Sequence, residues 1–190
     1  EYFGPAFPNE DRSAELPGAM GAYVSEVMFW LYRPLTFMLW GGVFERFPRL
    51  QAMVVEGGTM FMVPSWLMLL DHNYTDIQFS AKLGDFRSHL SMAPSEYFAR
   101  NCGIGASCVP RRDLDLKDQI GLKQIMWGSD FPHPEGTWPN TEQYYLDTFK
   151  GFDADAGRQI LGENAIQFYG MDSDYLNGLA SDIGPSASIF

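Results

Sequence analysis

The segment Gln124-Ile125-Met126-Trp127-Gly128-Ser129-Asp130-Phe131-Pro132-His133-Pro134 constrains the fold more than any other stretch of the chain. A short apolar run ends in Gly-Ser-Asp and passes into Pro-His-Pro. That order reads as a buried strand that delivers a carboxylate to its C-terminal end, followed by a loop stiffened by two prolines. Where parallel strands alternate with helices and close into a barrel, active sites are built at this end of the strands. A buried Asp there can hold a metal ion or move a proton. The structural alternative is an Asp that caps the next helix or turn.

The rest of the chain alternates in the same way. Residues 1–22 carry Gly4, Pro5, Pro8, Pro17, Gly18 and Gly21 and read as loop. Residues 23–40 are densely apolar with helix-compatible spacing, and Pro34 is expected to kink or divide that helix. Gly41-Gly42 breaks it, and residues 43–47 add a last turn closed by Pro48. Residues 50–55 form a short apolar run ending at Glu56-Gly57-Gly58, a buried strand followed by a loop. Residues 60–71 are helical in length and spacing, and residues 75–90 are more polar. Residues 94–101 begin a helix with Ser95 as its cap. Residues 101–109, with Gly103, Gly105, Cys102 and Cys108, suggest a weak or irregular strand. A short helix over 113–120 is closed by Gly121, and residues 124–128 are the next strand. Residues 141–150 are helical. Asp153 N-caps a helix that Gly162 ends, and residues 163–169 add a short helix closed by Gly170. After Met171 the sequence is small and polar, and residues 172–190 read as a tail. Continuous apolar strands separated by helices indicate an α/β fold with a parallel sheet covered by helices. No internal repeat or linker divides residues 1–171, so one domain is expected.

Composition narrows the function classes. The 190 residues suffice for one domain with a core. Thirteen Lys and Arg against 24 Asp and Glu give a net charge of −11, which argues against nucleic acid or an anionic membrane surface as partner. Two cysteines are too few for a disulfide framework or a four-cysteine zinc site, so reduced thiols in a cytoplasmic protein are expected. The longest apolar stretches are interrupted by Arg33 and Pro34, or by Pro64 and Asp71, short of a membrane span. The chain opens Glu1-Tyr2-Phe3-Gly4, without a cleavable signal. This opening reads as loop interior, and the expectation is that further sequence lies upstream.

Four segments together carry a family resemblance. They are Gly42-Val43-Phe44-Glu45-Arg46-Phe47-Pro48-Arg49-Leu50, Val55-Glu56-Gly57-Gly58, Met126-Trp127-Gly128-Ser129-Asp130-Phe131-Pro132-His133, and Ile160-Leu161-Gly162-Glu163-Asn164-Ala165. Their order and spacing resemble the C-terminal half of the amidohydrolase-related proteins, the group of metal-dependent hydrolases that includes aminocarboxymuconate-semialdehyde decarboxylase-like enzymes. The resemblance spans roughly residues 40 to 170. It implies the C-terminal portion of a (β/α)8 TIM barrel, with residues 50–55, 101–109 and 124–128 as its sixth, seventh and eighth strands. The first five strands, and the remaining metal ligands they carry, would then lie upstream of this chain.

The same resemblance assigns roles. Asp130 matches the eighth-strand aspartate that binds the catalytic divalent metal, Zn2+ first and Mn2+ second, or orients the attacking water. A divalent cation stabilises such a carboxylate and lowers the pKa of bound water. Glu56 stands where decarboxylases of the group carry a His, a departure that weighs against their mechanism; Glu56 could act as a base or remain a solvated strand-end residue. His133, three residues past Asp130, can face the same cavity to bind substrate or shuttle a proton, or it can structure the loop. His72 is better placed to meet helix-end carbonyls than a metal, and Cys102 and Cys108 read as core or loop thiols. Gly57 and Gly58 belong to no nucleotide-binding pattern.

Three functions compete. The first is a metal-dependent hydrolase whose activated water attacks an ester, lactone or amide. The second is a non-oxidative carboxy-lyase acting on an aromatic or unsaturated carboxylic acid. The third is a non-catalytic fragment or binding module that has lost the metal site. The expected partners are a small-molecule substrate and, in the full-length parent, further copies of the chain.

Overall fold

The computed structural model describes residues 18–57, 61–76 and 81–190. The expected loop at residues 1–17 lies outside them. Three short strands make the centre: β1 (Ala52–Val54), β2 (Cys102–Ser107) and β3 (Ile125–Gly128). They pair in parallel in the order β1-β2-β3. Ala52 stands opposite Cys102, Ile104 opposite Ile125, and Ser107 opposite Gly128. Two further main-chain bonds extend the ladder past the strands, from Gly57 N–H to the Gly105 carbonyl (2.9 Å) and from Cys108 N–H to the Gly128 carbonyl (3.2 Å). This parallel sheet with its helices has the strand order that the family resemblance implies for the C-terminal portion of a (β/α)8 barrel.

Helices connect and cover the strands. Before β1 come α1 (Ala19–Trp40) and α2 (Val43–Arg46). Of the two outcomes expected of Pro34, a kink or a division, α1 is not divided: the helix runs through it. The buried Tyr32 and Leu35 hold the helix against the core on either side of the proline, and the Thr36 hydroxyl donates to the Tyr32 carbonyl at 2.9 Å. Between β1 and β2 lie α3 (Met62–Thr75) and α4 (Pro94–Asn101). Ser95 is not the cap of α4: Ala93 precedes the helix, the Ala93 N–H donates to Glu96 (2.8 Å), and the Ser95 N–H donates to Asp71 of α3 (2.9 Å). A carboxylate from a neighbouring helix thus satisfies one of the helix-start donors.

The strand expected to be weak, β2, is the central one. The first of its two glycines, Gly103, is a packing device. A Cβ on Gly103 would come within 2.8 Å of the Met126 side chain and 3.3 Å of those of Met53 and Phe168. Between β2 and β3 the expected single helix is two, α5 (Arg111–Leu114) and α6 (Lys117–Ile120). After β3 come α7 (Thr141–Phe149) and α8 (Ala154–Arg158), the latter capped by Asp153 through the Ala156 N–H at 2.7 Å. Gly162 does not end that helix. A wide turn at Gln159–Glu163 leads directly into α9 (Asn164–Tyr169). After Met171 the chain forms α10 (Ser173–Ile183), none of whose side chains is buried. The last residues return to the body, where Phe190 packs edge-on against Phe149 at 6.2 Å. Among the described residues no helix is long and apolar enough to cross a membrane.

The core lies between the sheet and α1, α3 and α4. Phe98, Ile104, Ala106, Ile125 and Val63 are fully buried. Trp66 wedges between the rings of Tyr32 (5.1 Å) and Phe98 (6.0 Å). Two buried asparagines fasten the strands at their N-terminal ends. Asn101 Nδ2 donates to the Pro48 and Leu50 carbonyls (3.0 and 2.7 Å) just before β1. Asn164 Nδ2 donates to the Leu122 and Ile125 carbonyls (both 2.8 Å) at the entry to β3. This explains the asparagine of the Gly162-Glu163-Asn164-Ala165 segment. Asn164→Leu would leave two carbonyls without their donor, and a loss of roughly 2–4 kcal/mol in unfolding free energy is expected by denaturant titration.

The Glu45 carboxylate accepts hydrogen bonds from the hydroxyls of Tyr97 and of Ser91, the latter at 2.9 Å. These bonds, that of Tyr97 first, hold Glu45 below the ordinary carboxylate range. A depressed carboxylate contributes stability that is complete above its unfolded pKa and is lost as pH falls through the lower, folded value. Glu45→Gln is therefore expected to lower thermal stability at neutral pH by an amount that shrinks in acid. An unchanged gap between variant and parent down to the acid transition would count against this contact.

Candidate active site at the strand ends

Because the three strands run in parallel, their C-terminal ends meet at one rim. Each strand leaves the sheet there through a non-glycine residue in the left-handed region: Glu56 (φ 55°), Cys108 (φ 50°) and Asp130 (φ 60°). Such residues are uncommon and cluster at functional sites. After β1 the turn is held from α1, where the buried Tyr32 hydroxyl donates to the Gly57 carbonyl at 3.1 Å. A Cβ on Gly57 would lie 2.4 Å from the Ile104 side chain, so the turn has room for glycine alone.

The loop after β3 folds back on itself. Thr137, fully buried, donates its N–H to the Ser129 carbonyl (2.9 Å) and pairs its hydroxyl with that of Thr141 (3.0 Å). Gly136 packs onto the start of the loop, where a Cβ would come within 2.8 Å of the Ser129 and Asp130 carbonyl oxygens. The His133 N–H donates to the Asp130 carbonyl (2.8 Å) and the Gly136 N–H to the His133 carbonyl (2.9 Å). Pro132 and Pro139 follow cis peptide bonds. Phe131 and Trp138 stand exposed on this loop as an edge-to-face pair with ring centroids 5.9 Å apart.

This loop brings Asp130 and His133 together. His133 Nδ1 lies 3.3 Å from Asp130 Oδ2, and the Glu135 N–H points at the same nitrogen from 3.4 Å. A protonated Nδ1 can donate to the carboxylate, and a deprotonated Nδ1 can accept from the amide. The nitrogen therefore has a partner in either state. The Asp130 side chain is four-fifths shielded from solvent, while His133 is more than half exposed. Glu56 shares the rim but is exposed, and makes no hydrogen bond or ion pair to another described residue. His72 lies elsewhere, 3.6 Å from Asp76 at the end of α3. His89 bonds the Trp40 carbonyl at 2.8 Å. Neither joins the site.

Cys108 is the rim residue whose place the sequence did not signal. Its thiol donates to the Glu135 carbonyl at 3.7 Å, tying the end of β2 to the Asp130 loop. A Cys directly after an apolar Gly-Ile-Gly-Ala-Ser strand is the only trace of this in the sequence, and the left-handed backbone is what turns it toward the rim. Cys102, on the other hand, is a buried thiol at the opposite end of β2, pushed up to about 12 by burial.

A divalent ion would need several convergent donors. Among the described residues no three His, Cys, Asp or Glu side chains come together as such a group. Asp130, with His133 beside it, has the chemistry of one part of a metal shell, not of a complete site.

Comparison with known proteins identifies the family. The model of the amidohydrolase family matches residues 28–171. The chain is similar to 2-amino-3-carboxymuconate-6-semialdehyde decarboxylase of Dictyostelium discoideum, 26% identical over 138 residues that cover 71% of this chain and 35% of that protein. Among solved structures it resembles 5-carboxyvanillate decarboxylase of Sphingomonas paucimobilis, with 28% identity and a TM-score of 0.56 over 71% of this chain and 38% of the other. It also resembles an amidohydrolase of Mycobacterium avium subsp. paratuberculosis, with 26% identity and a TM-score of 0.54 over 69% and 31% of the two chains. The chain thus spans about a third of the length of these relatives.

Burial raises the Cys108 thiol pKa, and the carboxylates of Asp130 and Glu135 raise it further by disfavouring a second negative charge nearby. Alkylation by iodoacetamide at pH 8 is expected to be slower at Cys108 than at a free thiol, because the thiolate is the nucleophile. Asp130→Asn should speed it. An equal or slower rate in that variant, measured by mass spectrometry of the modified peptide, would show that Asp130 does not face the thiol.

Proposed function

The chain belongs to the amidohydrolase family, and from that premise we propose that it supplies the C-terminal wall of the active site of a non-oxidative carboxy-lyase acting on an unsaturated or aromatic carboxylic acid. The observation that carries this reading is the pairing of Asp130 with His133 on a self-closed loop at the end of β3. The two named decarboxylases among its relatives favour a carboxy-lyase over the ester, lactone or amide hydrolase that the sequence alone ranked first.

The reaction exchanges a C–C bond for a C–H bond: the carboxylate leaves as CO2, its bonding pair stays on carbon, and a proton arrives there. Asp130 would be one ligand of a divalent metal, Zn2+ or Mn2+, with its other ligands on barrel strands outside this chain. When bound, the ion supplies a positive centre that binds and orients the substrate's oxygens. His133 is the proton carrier in this reading. Its Nδ1 can give up a proton and keep a hydrogen-bond partner, because the Glu135 N–H stands opposite Asp130. Half exposure lets it exchange that proton with solvent. Glu56, exposed at the end of β1, would face the substrate from the far side of the rim. A His is absent from that position, which leaves His133 as the imidazole nearest the rim in this chain.

The test follows CO2 release from a panel of hydroxylated aromatic carboxylic acids and conjugated unsaturated acids, with esters and lactones assayed in parallel. Asp130→Asn and His133→Gln are each expected to lower decarboxylation by about 100-fold or more. Hydrolysis of the esters or lactones without CO2 release would restore the hydrolase reading. Inertness toward the whole panel in metal-loaded protein would favour the non-catalytic one.

A further inference from the structure

We propose that the groove between α1 and α3 is a binding site for a lipophilic aromatic carboxylate, separate from the rim at the strand ends. Its volume is about 780 Å³, within the roughly 300–1,000 Å³ of small-molecule sites. Every lining residue belongs to one of the two helices. Phe29, Trp30, Trp40, Met62, Trp66 and Leu69 make its walls, and none of Glu56, Cys108, Asp130 and His133 takes part. Contacts between the helices fix the lining. The Trp66 indole N–H donates to the Thr36 hydroxyl at 3.0 Å, and its ring lies 5.1 Å from that of Tyr32. Aromatic walls set in place in this way can stack on a flat ring with little loss of side-chain freedom.

Charge selects the ligand. No Asp or Glu lines the groove. Its one fixed charge is the Arg33 guanidinium, stacked over the rings of Trp30 and Phe37 at 5.4 Å from each. Among the described residues no carboxylate pairs with Arg33. The rings position the guanidinium but give its N–H groups no oxygen acceptor. A carboxylate supplies two, in the bidentate geometry a guanidinium fits. The Ser65 and Asn73 side chains also line the groove and bond no other described residue, so they are available to a polar substituent on the ring. The chain's net charge of −11 repels an anion from most of its surface, and this groove offers a cation with no carboxylate in the lining. A neutral apolar molecule would leave Arg33 without a partner, and a cation would be repelled by it. An aromatic acid uses both the walls and the charge.

Equilibrium dialysis of the whole chain against 2-naphthoate, and against naphthalene-2-carboxamide as its neutral counterpart, tests this. Saturable binding of the acid is expected, with a dissociation constant of about 1–100 μM. Arg33→Gln should weaken the acid at least about tenfold and leave the amide unchanged. Leu69→Asp, in the wall, should weaken both, and Asp130→Asn should alter neither, because the rim lies outside the groove. Arg33 and Leu69 are exposed side chains, so both variants should fold, as circular dichroism would verify. Should either fail to fold, nuclear Overhauser contacts in the parent protein decide: 2-naphthoate protons close to the Met62 methyl group support the site. Equal affinity for acid and amide, or an affinity for the acid that survives Arg33→Gln, overturns the assignment of an anion. Contacts at the Asp130 loop in place of Met62 overturn the site itself. So does an absence of saturable binding, the result expected if a second copy or another stretch of polypeptide fills the groove.

Discussion

The site depends on how three parallel strands end. Each passes within one or two residues into a left-handed residue that is not glycine, at a cost of roughly 1–2 kcal/mol apiece. The surrounding contacts hold that conformation. Gly57 bonds the next strand and receives the Tyr32 hydroxyl, Cys108 bonds β3 through its N–H, and the Asp130 loop is closed by Thr137 and Gly136. The result is that the chain turns aside as soon as each strand stops. Glu56, Cys108 and Asp130 are left together at the rim. Relaxing any one turn into an ordinary extended residue would carry its side chain away with the backbone.

The two ends of the sheet use polar groups differently. At the N-terminal end Asn101 and Asn164 are buried, and their amides are consumed by backbone carbonyls that would otherwise lack donors. At the C-terminal end the loop satisfies its backbone largely with backbone, which leaves the Asp130 and His133 side chains facing each other and the open rim. The buried asparagine bonds lie at one end of the sheet and the candidate site at the other, the division expected of this fold.

Much of the fold was legible because burial leaves a plain mark on strands. The apolar runs around Met53 and Met126 became β1 and β3. The central strand was harder to see, since Gly103 and Gly105 dilute its apolar pattern; Gly103 is there because the Met126 and Phe168 side chains occupy the space its Cβ would need. Local rules failed where a distant residue took over a local task. Asp71 satisfies the Ser95 amide across a helix interface, core packing carries α1 through Pro34, and a wide turn carries the helix past Gly162. The first two are tertiary contacts overriding a propensity worth at most a few kcal/mol, and the third is a change of helical winding within the chain itself.

For the site, the sequence by itself determined that a carboxylate would stand at the end of a buried strand, with an imidazole three residues beyond. The Gly-Ser-Asp-Phe-Pro-His order suffices for that, because an apolar run must be buried and the loop after it must begin where the run stops. Only the tertiary structure decided that the two side chains meet at 3.3 Å, that Glu56 shares their rim without touching them, and that Cys108 ties the neighbouring strand to their loop. Those relations depend on strand register, on left-handed turns and on a buried Thr137 eight residues from its Ser129 partner. The strand register and the Cys108–Glu135 tie come from packing between segments far apart in the chain, and the Asp130–His133 contact from a loop closed on itself by backbone bonds, neither of which the residue pattern encodes.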